Sequence, residues 1–150
     1  MGFRLYIPKK LIFKHRIMKK QLLPVIMLLL SVNISSAQNE GDNLIIVHGY
    51  VKYHKVAEAL FRNGFAIMDY DSTYISGLKV AGPVTAIKIV VTRRDTAVFF
   101  KGFGGSQSNG NFFHNWNVSY SSGLYKKWFT ILNEICTSFG LPVSYFKQSE

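Results

Sequence analysis

The sequence predicts an α+β domain, an antiparallel sheet of about five strands with two amphipathic helices packed on one face. Three observations carry this. Short runs that alternate or are β-branched recur at residues 44–47, 65–71, 74–80, 84–92 and 97–103. Two other stretches, 53–61 and 124–139, place apolar residues three and four apart. The resulting order of strand, helix, four strands and helix lacks the regular alternation that builds a parallel sheet.

The first strand is Leu44-Ile45-Ile46-Val47, bounded by Gly49. In the helix that follows, Tyr53, Val56, Ala57, Leu60 and Phe61 form one apolar stripe, while Lys52, Lys55, Glu58 and Arg62 face away. Asn63-Gly64 ends it, glycine being suited to the left-handed position after a helix. Along 65–71, Phe65, Ile67 and Asp69 fall on one face and Ala66, Met68 and Tyr70 on the other. A turn at Asp71-Ser72-Thr73 leads into the strand 74–80, where Gly77 marks a candidate bulge. After the corner Gly82-Pro83, the strands 84–92 and 97–103 form a hairpin around Arg93-Arg94-Asp95-Thr96.

Residues 102–123 hold five glycines and four asparagines interleaved with Phe112, Phe113, His114, Trp116 and Tyr120. That composition reads as a long loop with a short strand at 116–120. The second helix carries Leu124, Trp128, Ile131, Leu132, Ile135 and Phe139 on its apolar face; Gly140 caps it and Pro142 prevents its continuation.

The amino-terminal part has a different composition. Met18-Lys19-Lys20 is a basic start, residues 22–34 are a 13-residue apolar run, and Ser35-Ser36-Ala37 is a small-residue cleavage site before Gln38. Roughly 20 apolar residues are needed to span a bilayer as a helix, so the run fits a cleaved signal peptide better than a permanent membrane anchor. The expected organisation is a leader over 1–37, with Met18 as the true start, followed by one exported domain over 38–150. The protein is expected in the periplasm or outside the cell after cleavage near Ala37. No cysteine stands near the cleavage site to receive a lipid, Cys136 being the single cysteine of the chain.

Residues 1–37 hold seven of the 18 basic residues and none of the eight acids. The mature chain therefore carries 11 bases against 8 acids, a net +3 rather than +10, which removes the compositional case for nucleic-acid binding. A lone cysteine excludes an internal disulfide, so stability must come from a packed core.

The element order resembles the TATA-binding-protein-like fold, and in particular small exported bacterial domains of unknown function built on it. The resemblance covers residue 44 to about residue 139, and rests on the helix 53–61, the segment 71–77 and the hairpin around 93–96. It implies a shape and no activity, since the DNA-binding members of that fold work in the cytoplasm or nucleus.

For chemistry, His48, His54 and His114 lack the spacing of a zinc site, and no metal or cofactor is expected. Gly102-Phe103-Gly104-Gly105 has no following Gly-Lys-Ser/Thr and reads as a strand terminus rather than a phosphate loop. Arg93-Arg94 reads as a solvated hairpin tip, and Cys136 as a buried apolar residue. The candidate binding residues are Phe112, Phe113, His114, Trp116 and Tyr120, because exposed aromatics beside amides suit stacking on a sugar or anchoring a protein interface. The competing structural role is a lid over the sheet. The functional expectation is a non-enzymatic binding module of the cell envelope, its partner an envelope protein or a glycan. The alternative is a small hydrolase or carbohydrate-binding protein using Asp69, Asp71 and His114 with the aromatic segment.

Overall fold

A computed structural model describes residues 37–109 and 111–149, which fall within one compact unit. The expected signal peptide lies outside the described residues except for Ala37 at its end. The domain is α+β. Its elements are β1 (Leu44–His48), α1 (Tyr53–Arg62), β2 (Ala66–Tyr70), β3 (Tyr74–Val80), β4 (Thr85–Arg94), β5 (Ala97–Ser108), β6 (Asn111–Asn117), α2 (Gly123–Thr137) and β7 (Val143–Phe146).

Among the described residues the sheet has seven strands rather than about five, every pairing antiparallel. Its order is β2-β3-β4-β5-β1-β7, with β6 also on β5. The two extra strands come from segments read as loop and tail. β5 continues to Ser108, and β6 returns along it, so residues 102–108 and 111–117 lie in paired strands instead of a long loop. One edge of β5 is shared: Ala97 to Lys101 pair with β1, and Phe103 to Ser108 pair with β6.

The glycines of β5 are there because other groups cross the strand closely, not because the chain turns. A Cβ on Gly102 would come within 2.8 Å of the Val118 side chain. One on Gly104 would overlap the Trp116 indole, and one on Gly105 the Phe113 carbonyl. The β4–β5 hairpin is also tighter than expected, since Arg93 and Arg94 pair with Val98 and Ala97. Asp95-Thr96 alone makes the turn, Asp95 at φ 52°, a conformation that aspartate tolerates.

A buried cluster draws on both helices and on most of the sheet: Val56 and Leu60 of α1, Trp128, Phe129, Leu132 and Ile135 of α2, with Ile45, Ile75, Ile89, Val91, Phe100 and Val143 of the strands. Two residues leave their expected stripes. Phe61 is 72% exposed, because it stands about 100° around the helix from Leu60 and so passes the flank of α1. Leu124 is likewise exposed, in the first turn of α2. In β2 the register shifts between Ile67 and Asp69, so Ile67 packs against the core while Asp69 pairs with Ser76, one position along from the Gly77 partner of Ile67. The bulge belongs to β2, not to Gly77, whose Cβ position is closed by Phe65 and Leu60. No helix of the described residues is long and apolar enough to cross a membrane.

Candidate functional site

Strand pairing separates the five aromatic candidates. Alternation along β6 sends neighbours to opposite faces, and a register shift between Gly104 and Gly105 resets that alternation near Asn115. Phe113 is 52% exposed. His114 is exposed and meets Phe103 edge-on, with ring centroids 5.1 Å apart. Phe112 is half-buried, its ring beside Gly105. Trp116 is half-buried against the core, covering Gly104 and meeting Tyr125 edge-on at 4.8 Å.

Tyr120 belongs to the structural seam below β6. Its N–H donates to Asp42 O at 2.7 Å, its own carbonyl accepts from Gly41 N–H, and its ring packs on Phe129 with the Lys126 ammonium 4.6 Å away. The aromatic segment is therefore partly lid and partly free surface: Trp116 and Tyr120 close the core, while Phe113 and His114 meet solvent.

Beside Trp116 lies a shallow groove of about 410 Å³. Trp116 and Tyr125 supply its aromatic surface, Asn43, Asn115 and Asn117 its amides, Ser119 and Ser121 its hydroxyls, and Lys147 its one charge. The Asn43 side chain is fixed by Gln148, donating to its carbonyl at 3.0 Å and accepting from its N–H at 2.8 Å. Ser119 and Ser121 share a hydrogen bond of 3.1 Å. Amide-aromatic composition pointed to the Asn115–Trp116 side of this groove. Nothing in linear order connects it to Asn43 or Tyr125, which arrive from the start of β1 and from α2.

Asp69, Asp71 and His114 are not brought together, for β3, β4 and β5 stand between β2 and β6. Asp69 Oδ2 accepts from the Ser76 hydroxyl at 2.6 Å. Asp71 Oδ1 accepts from the Thr73 and Tyr74 N–H groups at 2.6 and 2.8 Å and from the Thr73 hydroxyl at 3.1 Å. The Thr73 N–H foremost, with the other two donors, holds the Asp71 carboxyl below the ordinary aspartate range. His48 is hydrogen-bonded to the Ser144 hydroxyl at 2.7 Å. Among the described residues no three His, Cys, Asp or Glu side chains lie close enough to hold a metal ion. Cys136 is buried, and burial pushes its thiol well above the ordinary value.

Arg93 departs most from its expected role. Instead of standing in solvent at a hairpin tip, its guanidinium lies 4.2 Å from the centroid of the Tyr53 ring and 4.9 Å from that of Tyr50, and donates to the Val51 carbonyl. Its position opposite Val98 turns it to the core side of β4, whereas Arg94 faces outward and is exposed.

The chain matches no protein-family model, no curated protein and no solved structure.

Proposed function

We propose that the domain of residues 38–150 works outside the cytoplasm, after removal of the leader near Ala37, as a non-enzymatic binding module of the cell envelope. Its ligand is a neutral, hydroxyl-rich chain, a glycan, seated in the groove beside Trp116 and reaching toward Phe113 and His114. In architecture it is a TATA-binding-protein-like domain whose two helices pack on one face of the sheet.

The observation that carries the ligand class is the groove lining. Amides and hydroxyls can each donate and accept to sugar hydroxyls, and an aromatic wall offers a flat apolar surface to a pyranose face. With Lys147 the single charge, the groove favours a neutral ligand over a strongly charged one. The hydrolase alternative finds no support in the placement of Asp69, Asp71 and His114 on separated strands.

Tryptophan emission tests this. The sequence holds two tryptophans, and Trp128 is 7% exposed, so a change in emission reports on Trp116. Titration with neutral oligosaccharides, read by emission in the parent and Asn115→Ala and by calorimetry in Trp116→Phe, together with co-sedimentation on insoluble cell-wall glycan, is expected to give saturable binding that both variants weaken. Saturable binding that both variants leave unchanged, or none at all, retires the glycan reading.

A further inference from the structure

A second cleft, of about 620 Å³, opens where the amino-terminal turn of α1 meets the ends of β2 and β4. Three independent features converge on it. The first is Arg93, its guanidinium over the rings of Tyr50 and Tyr53 and its Nε–H buried and without a hydrogen-bond partner. The second is Tyr53, 7% exposed, whose hydroxyl is also buried and has no acceptor for its proton, while the Arg93 backbone N–H bears on its oxygen. That hydroxyl lies within electrostatic reach of both Arg93 and Asp71, two other residues of the cleft wall. The third is the start of α1, a ten-residue helix with no side-chain cap and no acidic residue in its first turn. Its leading N–H groups have no carbonyl within the helix to bond, and present positive potential.

Buried donors without partners are costly, and two from different elements in the wall of one cleft are rarely an accident of packing. We propose that this cleft binds the carboxylate of a small ligand, which displaces the exposed Tyr50 ring to reach the shielded Arg93 Nε–H and Tyr53 hydroxyl as donors, with the start of α1 and Lys52 supplying positive potential. A guanidinium lying over the Tyr53 ring offers a planar fork of donors, which suits a planar carboxylate. Asp71 bears on the choice of anion: it stays ionised in the same wall, so a singly charged carboxylate is better tolerated there than a phosphate dianion. His54 completes the rim. The site shares no residue with the groove beside Trp116, so the two proposals stand or fall separately.

The test follows the Arg93 Nε–H resonance of the purified, isotope-labelled protein during titration with acetate and succinate. Inorganic phosphate and sodium chloride at matched ionic strength are run in parallel, and Arg93→Lys assigns the signal. A saturable downfield shift with the carboxylates is expected, at least tenfold weaker in apparent affinity in Tyr53→Phe. Because that variant removes a buried hydroxyl whose proton has no acceptor, its melting temperature should equal or exceed that of the parent, which separates lost binding from lost folding. A response to chloride as large as that to succinate overturns the proposal. Saturation by phosphate but not by carboxylates, or equal affinity in Tyr53→Phe, does the same.

Discussion

Gly104 shows how much a single position can be constrained by a neighbour distant in sequence. It sits in the middle of β5, where any side chain would collide with the Trp116 indole lying across it. Gly104→Ala should therefore cost about 1–3 kcal/mol, the usual range for forcing extra volume into a packed site, and a denaturant melt measures it directly. Asp71 acts at the same scale through charge. Its folded-state pKa is lowered by the Thr73 and Tyr74 donors, so its contribution is fully present above the unfolded value, about 3.9, and is lost as pH falls through the folded value. Asp71→Asn should melt below the parent near neutral pH, with the gap closing only in strong acid. A gap independent of pH would assign the effect to turn geometry alone. Cys136, buried with its thiol pushed well up, should resist a thiol reagent in the folded protein and react fully once the chain is unfolded.

At the scale of elements, the periodic segments were legible and the glycine-rich one was not. The strand expected after the turn at 71–73 is β3, Tyr74–Val80, and both helices begin within a residue of their expected starts. Local pattern sufficed there because burial on one face leaves a period in the sequence. Residues 102–117 have no such period: Gly102, Gly104 and Gly105 answer to Val118, Trp116 and the Phe113 carbonyl, contacts that exist only once β6 has folded back. The same limit hid Arg93, whose partners Tyr50, Val51 and Tyr53 lie about forty residues earlier, and left half of the groove beside Trp116 unseen. The β6 ribbon supplies the matching experiment. Phe113→Ser should change stability by no more than about 0.5 kcal/mol, as exposed substitutions do, whereas Trp116→Ala, uncovering Gly104 and Tyr125, should cost about 1–3 kcal/mol. Equal effects would mean that the ribbon does not lie on the domain as β6.

Over the whole molecule, one buried cluster joins helices and strands from both ends of the described chain, and β7 ties the last of them in. β7 pairs with β1, places Val143 in the core, hydrogen-bonds from the Tyr145 hydroxyl to Asn133 of α2 at 2.8 Å, and is followed by the Asn43–Gln148 clasp. No part of the sheet is left with a core of its own, so unfolding should be a single cooperative step. Trp116→Phe makes Trp128 the only tryptophan, a buried reporter on α2. Its emission and the far-ultraviolet circular dichroism of the sheet should then trace one denaturant transition with the same midpoint. Ending the chain at Leu141 tests the tie itself: it leaves β1 paired with β5 alone, exposes the edge that β7 covered, and removes Val143 from the cluster. Such a chain should fail to fold or should associate through β1. A soluble monomer with a parent-like midpoint would show that the core closes without β7, and separate transitions in the full chain would show that α2 and the sheet are not one unit.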